Sequence, residues 1–457
     1  MLCFPATMAA ADYISYHRQH GQGQRPFVIC LAVNRSLYTL LYYLALPLIF
    51  LRLLWRSRKD PRYRQRWAER FGYYGNKHFA SERPAIVFHA VSVGELHAAV
   101  PLIKACMQML PQWTFTLTAT TVTGSARVRD IFSDAVQHCY LPNDTPGAVK
   151  RFLRAVKPRV LIIMETELWP NLIHYCKQEG CRVVLLNARL SEKSFQRYRK
   201  HARLSLSMLL NLYQVAAQFP DDAERFRSLG LPEKALQVAG TMKFDQQPDA
   251  DQVAAGKAYR QALQRPVLVA GSTRQGEERK ILEAYSAMLQ DIPELLLLLV
   301  PRHPDRVEEV AALLTEAKLS FVRRSSAQMP EPETRVLLGD SMGEMQFYYA
   351  CADLAFVGGS LVNTGGQNII EPALVGVPVI YGPSRYNFQA VSDLLLEAGG
   401  LCLIRDEGEL ASQVIDLLAD QARCQAMTDA AARVIAEQSG ATTRQLGLIQ
   451  QATDSDQ

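Results

Sequence analysis

The sequence has few of the patterns that build metal sites or disulfide frameworks. Its nine cysteines are scattered and odd in number, and no pair has CxxC spacing. Its histidines form neither an HxH nor an HExxH pattern. These absences argue against a zinc site and against a disulfide framework. Scattered cysteines of this kind are typical of reduced thiols in a cytoplasmic protein.

A strong excess of one charge sign is also lacking. The 457 residues carry 50 Lys and Arg against 45 Asp and Glu, a net charge of +5. Nucleic-acid-binding proteins are usually far more basic, so we expect no nucleic-acid partner. With 48% apolar residues, the chain is long enough for two domains that each bury a core.

One long apolar run lies near the amino terminus, from Leu37 to Leu51. It is shorter than the roughly 20 residues that span a bilayer, so a spanning helix, an interfacial helix and a buried helix are all possible. A basic segment follows, which favours membrane association with the rest of the chain on the cytoplasmic side. The candidate contacts for lipid phosphates are Arg56, Arg58, Arg62, Arg64 and Arg66. We assign 36–72 to the anchor and basic segment and 1–35 to a variable or disordered extension. For residues 1–26, a start codon placed too far upstream is the alternative.

Beyond this segment, short apolar runs alternate with helix-length stretches, which predicts parallel sheets covered on both faces by helices. The pattern breaks at the polar stretch Lys243–Gly256 and then restarts. We therefore predict two α/β domains, 73–245 and 262–438, with a linker between them. Ligands of such sheets bind at the carboxyl ends of the strands, so the cleft between the domains is the expected site. The predicted strands are Ala85–His89, Thr114–Thr120, Val160–Met164, Arg182–Asn187, Val215–Gln218, Pro266–Ala270, Glu294–Val300, Arg335–Leu338, Leu354–Val357, Val379–Tyr381 and Leu401–Ile404.

The first predicted strand leads into Ser92, Gly94 and Glu95, where a helix begins. Gly94 allows a tight turn. The Glu95 carboxylate is placed either to accept a proton from an acceptor hydroxyl or simply to complement the positive end of the helix. After the second strand, Thr123 and Gly124 suit an anion or sugar, although an ordinary helix cap explains them as well.

A pair of carboxylates, Glu165 and Glu167, ends the all-apolar strand Val160–Met164. Charged groups there are costly unless something binds them. Arg189, at the end of the next strand, is a candidate ion-pair partner, and a direct role in ligand binding is the alternative.

The second half carries features suited to a nucleotide. Ser272 and Thr273 end its first strand before a helix, whose amino terminus favours an anion. The flanking glycines have P-loop spacing, but Glu277 and Glu278 occupy the places of Lys and Ser/Thr, which excludes an ATP P-loop. Arg302 and His303, held between two prolines, are candidate phosphate ligands.

Two further loops of the second half follow strands. Gly343, Glu344 and Met345 start a helix and offer backbone groups to a phosphate or base. The glycine-rich stretch beginning at Gly358 and Gly359 leads to Asn368 and Glu371, three residues apart on one helical face. That carboxylate suits ribose hydroxyls, while the glycines admit a phosphate.

A DxD pattern, Asp249 to Asp251, lies in the predicted linker with no strand before it. We interpret it as a solvated loop and expect no metal. Phosphate charge would then be met by Arg302 and by helix amino termini.

Seven segments occur in the order and form of one known family. The chain resembles the 3-deoxy-D-manno-octulosonic acid (Kdo) transferases of lipopolysaccharide synthesis over about Ser36 to Gln438. The segments are HAVSVGE (His89–Glu95), METELWPN (Met164–Asn171), NARLS (Asn187–Ser191), GTMKFD (Gly240–Asp245), PRHP (Pro301–Pro304), GDSMGEM (Gly339–Met345) and FVGGS…GGQNIIEP (Phe356–Pro372).

The resemblance implies a GT-B fold of two facing Rossmann-like domains, and transfer of Kdo from CMP-Kdo to a tetraacylated lipid A precursor. It implies inversion at the anomeric centre, no metal or other cofactor, and a place on the cytoplasmic side of the inner membrane. By motif, Glu95 matches the catalytic base. Arg302, His303, Gly343 to Met345, Asn368 and Glu371 match the CMP contacts. Two other classes remain open on the residues alone, a GT-B enzyme that uses a UDP-sugar and a non-catalytic membrane-surface module.

Overall fold

The computed structural model describes residues 33–454 except 59, 76–78, 80, 81 and 92, so Ser92 and most of 1–35 lie outside the described residues. The strands of the first half are β1 (Ala85–His89), β2 (Thr114–Ala119), β3 (Gln137–Tyr140), β4 (Pro158–Met164), β5 (Arg182–Ala188), β6 (Gln214–Ala217) and β7 (Leu236–Val238). These seven strands form one parallel sheet in the order β3-β2-β1-β4-β5-β6-β7.

The strands of the second half are β8 (Val267–Thr273), β9 (Leu296–Pro301), β10 (Phe321–Arg323), β11 (Val336–Leu338), β12 (Leu354–Val357), β13 (Val379–Tyr381) and β14 (Cys402–Leu403). They form another parallel seven-stranded sheet, in the order β10-β11-β9-β8-β12-β13-β14. The predicted pair of doubly wound α/β units is therefore confirmed.

Helices cover both faces of each sheet. In the first half they are α1 (Arg35–Arg56), α2 (Val93–Met109), α3 (Val122–Phe132), α4 (Pro146–Val156), α5 (Pro170–Gln178), α6 (Glu192–Lys200), α7 (Ala202–Leu209) and α8 (Pro220–Ser228). Those that follow are α9 (Ala250–Leu263), α10 (Glu277–Asp291), α11 (Val307–Glu316), α12 (Met345–Ala350), α13 (Ile370–Val375), α14 (Gln389–Glu397), α15 (Glu407–Ala419), α16 (Gln421–Gln438) and α17 (Ala441–Asp454).

The central strands are largely apolar because both of their faces are buried. In β1, Val87 points into the core under one face, while Ile86 and Phe88 point into the core under the other. The same alternation recurs in β5, where Val183 and Val184 lie in opposite cores.

The predicted linker is partly wrong, because α9 begins inside it. Asp249 caps this helix: one carboxylate oxygen accepts hydrogen bonds from the backbone N–H groups of Asp251 and Gln252, each at 3.1 Å. The DxD pattern is thus a helix N-cap rather than a solvated loop. A side-chain acceptor at this position satisfies amides that a helix start leaves without partners.

The last helix, α17, returns to the first sheet, so the segment beyond the predicted second domain packs on the first. Leu448 and Ile449 lie in the core with Ile86 and Phe88. The Gln445 side chain accepts a hydrogen bond from the backbone N–H of Asn187 at 2.9 Å.

The predicted apolar helix is present as α1. The Asn34 side chain caps it by accepting a hydrogen bond from the Leu37 backbone N–H at 2.9 Å. Its 22 residues have a mean hydropathy of 1.8 in their most apolar window, enough by length and composition to cross a membrane.

Candidate active site

Each sheet has a point where its strand order changes direction, between β1 and β4 in the first and between β8 and β12 in the second. Loops leaving the carboxyl ends of these strands diverge to opposite sides and leave a crevice, which is where such sheets bind ligands. The predicted site residues follow these strands or their neighbours.

Glu95 lies in the first turn of α2, directly beyond β1. One oxygen of its carboxylate accepts a hydrogen bond from the backbone N–H of Val91 at 2.8 Å. That bond links the helix start to the end of the strand and fixes where the carboxylate lies. Gly94 precedes it, exposed, in the same turn.

The segment after β2 is a helix cap. The Gly124 N–H donates to the Thr121 hydroxyl at 3.1 Å, and that hydroxyl donates to the Val91 carbonyl at 3.2 Å. Thr123 is exposed, and neither Thr123 nor Gly124 is among the residues that line the interdomain cleft described below. The cap therefore accounts for these two residues.

Both carboxylates after β4 face the cleft. Glu165 has a left-handed backbone conformation (φ 57°), and its N–H donates to the Leu186 carbonyl at 2.9 Å. Burial raises the pKa of Glu167, and the neighbouring Glu165 raises it further. Two adjacent acidic groups in one half-buried place suit a ligand with hydroxyl or cationic groups.

Arg189 contacts the second domain. Among the described residues it forms no ion pair with Glu165 or Glu167. Its guanidinium donates instead to the backbone carbonyl of Tyr386 at 2.7 Å. The predicted ion pair is wrong because the Tyr386 loop of the opposite domain supplies the acceptor.

A cleft of about 860 Å³ lies between the domains. The first domain contributes Glu95, Glu165, Glu167 and Arg189 to its lining, and the second contributes Asn363 and the stretch 386–391. The sequence interpretation assigned no role to other lining residues, which include Gln218, Lys243, Asn387 and Phe388.

Lys243 is the most informative of the missed residues. Its ammonium lies 4.6 Å from the centre of the Phe388 ring, across the domain boundary. Burial lowers the pKa of Lys243, while the charge of Glu165 opposes that decrease. It belongs to the GTMKFD segment, so the resemblance marked its neighbourhood without assigning it a role.

At the second sheet, Ser272 follows the strand core in a left-handed conformation (φ 58°), with its hydroxyl 4.0 Å from the sulfur of Met345. Thr273 is buried, and its hydroxyl donates to Glu278 at 2.8 Å. Ser272 therefore faces the candidate donor site, whereas Thr273 stabilises the loop from beneath.

Arg302 and His303 follow β9 and are both exposed. A ring nitrogen of His303 lies 2.6 Å from the guanidinium of Arg274. Burial and the nearby arginines Arg274 and Arg302 lower the pKa of His303, which favours the neutral imidazole. Two arginines and a histidine at the ends of two neighbouring strands form a site suited to phosphate.

The loop before α12 brings Gly343 and Glu344 to the same edge. Gly343 has φ 82° with open space where a side chain would stand. The Glu344 carboxylate accepts a hydrogen bond from Ser341 and lies 3.5 Å from Arg324. The Gly343 carbonyl accepts a hydrogen bond from the Gln252 side chain at 3.1 Å. The space beside its Cα is therefore open to a ligand, while its carbonyl and Glu344 are occupied by protein groups.

The glycine loop after β12 is packed against β8. A side chain at Gly358 would stand 2.6 Å from the Cα of Thr273, so only glycine fits. Gly359 has φ 71°. The buried carboxylate of Glu277 accepts hydrogen bonds from the N–H groups of Gly359 (2.6 Å), Ser360 (3.0 Å) and Leu361 (2.9 Å).

Asn368 and Glu371 lie together at the start of α13. The Asn368 amide donates to the Glu371 carboxylate at 3.1 Å. Burial raises the pKa of Glu371, and the Asn368 hydrogen bond and the Arg302 charge oppose that rise. The two residues thus form the predicted pair. The effect of the Arg302 charge on Glu371 indicates that Arg302 lies near this pair.

The predicted donor residues form a cluster of their own. None of them is among the residues that line the 860 Å³ cleft. Contacts between Ser272 and Met345, and between Arg274 and His303, join the ends of β8 and β9 to the loop after β11. The first-domain carboxylates and the donor candidates thus occupy separate parts of the interdomain region.

The arginines of the basic segment divide into two groups. Arg66 chelates Glu69 with two nitrogens, at 2.8 and 2.7 Å, and stacks on Tyr140. Arg62 is exposed and pairs with Asp60 at 2.9 Å. The side chains of Arg56, Arg58 and Arg64 are also exposed. Arg66 therefore stabilises the domain, and the other four arginines present charge to the surroundings.

Comparisons with known proteins agree with these motifs. Residues 65–246 match the family model of 3-deoxy-D-manno-octulosonic-acid transferase. The chain is 40% identical over 420 residues to the 3-deoxy-D-manno-octulosonic acid transferase of Haemophilus influenzae, covering 91% of this chain and 98% of that protein. It is 38% identical over 432 residues to the Bordetella pertussis enzyme of the same name, covering 92% and 99%.

The fold also has a solved counterpart. A glycosyltransferase from Rickettsia africae superposes with a TM-score of 0.56 at 11% identity, covering 82% of this chain and all of that one. The predicted GT-B architecture is therefore confirmed. With this fold, and with 40% identity over nearly the whole of a relative, the chain belongs to the 3-deoxy-D-manno-octulosonic acid transferase family of glycosyltransferases.

Proposed function

We propose that this protein transfers Kdo from CMP-Kdo to a lipid A precursor, inverting the anomeric centre without a metal ion. The observation that carries the proposal is the position of Glu95. Its carboxylate lines the cleft at the carboxyl end of β1, and residues of the second domain line the same cleft. A base fixed between an acceptor domain and a donor domain suits direct transfer between two bound substrates.

In the proposed step, Glu95 takes the proton from the attacking hydroxyl of the acceptor. The hydroxyl oxygen forms a bond to C2 of Kdo as the bond from C2 to the phosphate oxygen breaks. CMP leaves with the bonding electron pair. Attack from the face opposite the leaving group inverts C2, and the bond from Val91 N–H holds the carboxylate in place for it.

The donor cluster supplies positive charge where CMP would leave. Arg302 and Arg274 stand at the ends of β9 and β8, and the loop after β11 leaves open space beside the Cα of Gly343. Glu371, paired with Asn368, suits the ribose hydroxyls. Fixed cations and amides can stabilise the developing phosphate charge in the role that a metal fills in other transferases.

The acceptor is proposed to be a lipid at the cytoplasmic face of the inner membrane. Support comes from the apolar helix α1 and from the exposed arginines that follow it. Basic side chains beside an apolar helix attract anionic headgroups and favour the cytoplasmic side. They are placed to hold the phosphates of a lipid A precursor near the first domain.

The test is mass spectrometry of the product. Detergent-solubilised protein is incubated with tetraacylated lipid A precursor and with CMP-Kdo made in situ, with and without EDTA. We expect a mass increase of one or more Kdo units in both conditions. Loss of product in EDTA, restored by a divalent ion, would contradict the metal-free mechanism alone.

Two variants make the test specific. Glu95→Gln keeps the size of the side chain but removes the base, so turnover should fall by about 10²–10⁴-fold. Glu397→Gln changes an exposed glutamate on α14 and should leave turnover unchanged. Thermal protection by CMP but not by UDP should persist in both variants. Protection by UDP alone would instead indicate a UDP-sugar enzyme.

A further inference from the structure

Helix α1 has two faces that run its full length. One side is half-buried against the first domain at positions that recur every three or four residues. They include Arg35, Tyr38, Thr39, Tyr42, Ala45, Leu46, Ile49, Phe50 and Leu53. A stripe with this period is one face of a helix. The helix therefore lies along the domain rather than projecting from it.

Contacts near both ends of α1 attach this face to the first domain. Near the start, the side-chain amide nitrogen of Asn171 donates to the Thr39 hydroxyl at 2.9 Å, and Arg35 donates to the side-chain amide oxygen of Asn171 at 3.1 Å. Near the end, the Phe50 ring stacks on Phe71 with centroids 4.9 Å apart and contacts Trp67 at 5.4 Å. Both ends of the helix are thus fixed to one globular body.

The opposite face is apolar and exposed. Leu44, Leu48, Leu51 and Trp55 are each more than 60% exposed. Leu40, Leu41, Tyr43 and Leu54 extend the stripe. A soluble protein seldom leaves so many large apolar side chains together without a partner.

Charge beside the stripe indicates what covers it. Arg52, Arg56, Arg58, Arg62 and Arg64 are exposed at the carboxyl end of the helix and just after it. An apolar helical face flanked by basic residues is the pattern of a helix that lies in the interface of an anionic membrane. A protein partner would not need this arrangement of leucines beside exposed arginines.

We infer that α1 lies in the plane of the membrane, with its leucine face in one anionic leaflet, instead of spanning the bilayer. This inference rests on the proposed membrane association and gives it a geometry. A spanning helix must be surrounded by lipid over about 30 Å, which would carry the polar contacts of Asn171 into the hydrocarbon. An in-plane helix keeps those contacts in the aqueous phase and sets the first domain directly on the headgroups.

Depth measurements on the full chain distinguish the two geometries. A fluorescent amino acid is introduced at Leu40, Leu48 or Trp55, and its quenching by lipids brominated at different carbons is measured. The in-plane helix gives the same depth at all three positions. A spanning helix would place Leu48 deeper than the two ends by about 11 Å, and that result would overturn the inference.

Vesicle binding tests the two faces separately. On vesicles of phosphatidylethanolamine and phosphatidylglycerol, Leu44→Ser with Leu48→Ser should lower the partition coefficient at least about tenfold. Leu396→Ser, an exposed leucine of the second domain, should leave it unchanged. Arg52→Glu with Arg58→Glu should weaken binding to these vesicles but not to phosphatidylcholine vesicles.

Two further outcomes distinguish membrane association from Kdo transfer, and a membrane from a second protein copy as the partner of the leucine face. If the unaltered protein does not bind vesicles at all, membrane association itself fails, although Kdo transfer to a detergent-dispersed acceptor can still be positive. If light scattering shows a dimer that the two Leu→Ser changes dissociate while vesicle binding persists, the leucine face binds a second copy and the inference is wrong.

Discussion

The Arg189 guanidinium of the first domain donates to the backbone carbonyl of Tyr386 in the second domain at 2.7 Å. Both residues line the cleft that also contains Glu95. A hydrogen bond across the mouth of a cleft favours the arrangement in which the two domains face each other. Because a charged donor meets a neutral acceptor, its contribution is modest and partly screened by solvent.

We therefore expect Arg189→Ala to affect turnover more than folding. kcat/KM should fall about three- to tenfold, because the closed arrangement is less populated. The melting temperature should change little, since the guanidinium is partly exposed. Steady-state kinetics and thermal unfolding measure the two effects. Arg197→Ala, an exposed arginine outside the cleft lining, is the matched control, and an equal loss in both variants would remove the interdomain role.

Two arginines four residues apart should behave in opposite ways. Arg302 is exposed at the donor cluster, so Arg302→Ala should weaken CMP binding about tenfold or more without a change in stability. Arg306 chelates the fully buried carboxylate of Glu278 at 2.7 and 3.0 Å. Arg306→Ala leaves that charge buried without its cation, at a cost of about 3 kcal/mol in the free energy of unfolding.

Calorimetric titration with CMP and urea unfolding separate these outcomes. If Arg302→Ala destabilises the protein as much as Arg306→Ala does, Arg302 is a structural residue and its donor role is wrong.

Glu277 should be essential for the shape of the donor loop. Its carboxylate accepts hydrogen bonds from three N–H groups of the glycine loop and from the Arg274 N–H at 3.0 Å. Glu277→Gln places an NH₂ group against one or more of these donors. The expected loss is about 2–3 kcal/mol in the free energy of unfolding, with weaker CMP binding.

The control for this change lies on the same helix. Glu283 is exposed, so Glu283→Gln should alter neither stability nor CMP affinity. Both variants are measured by urea unfolding and by titration with CMP. If Glu277→Gln and Glu283→Gln have the same stability and the same CMP affinity, the proposed role of Glu277 is wrong.

Much of the fold follows from local patterns. The run Ala85–His89 matches β1 residue for residue, because a central strand buried on both faces is largely apolar. The edge strand β3, Gln137–Tyr140, was missed because its first two residues are polar and only half-buried. Edge strands have a looser apolar requirement, so periodicity detects them poorly.

Long-range contacts account for the rest. The return of α17 to the first sheet depends on Leu448 meeting a core formed some 350 residues earlier in sequence, and no local signal reports it. The acidic residues Glu277 and Glu278 were informative only in excluding a P-loop. Their structural roles depend on the adjacency of β8 and β12 in the folded sheet. Glu277 accepts hydrogen bonds from the glycine loop, and Glu278 pairs with Arg306.

The last prediction concerns pH and the base of the anchor helix. Asp144 is 2% exposed and accepts hydrogen bonds from the backbone N–H groups of Asn171 and Leu172, at 2.9 and 2.8 Å. Burial raises the pKa of Asp144 from 3.8 to about 6 against the effect of these bonds. The folded protein therefore holds this proton more tightly than the unfolded chain does. The stability from Asp144 is fully present below pH 3.8 and is lost as the pH rises through about 6.

Asp144→Asn resembles the protonated acid at every pH, so the two proteins should diverge as the pH rises. Relative to the variant, the free energy of unfolding of the unaltered protein should fall by up to about 3 kcal/mol between pH 4 and pH 7. Urea unfolding at several pH values measures the difference and cancels the titration of all other groups. A difference that stays constant, or that favours the unaltered protein more as the pH rises, would mean that the backbone N–H bonds outweigh burial and hold the carboxylate ionised. The Asn171 side chain also donates a hydrogen bond to the Thr39 hydroxyl of α1. Vesicle binding measured over the same pH range therefore shows whether ionisation of Asp144 detaches α1 from the first domain.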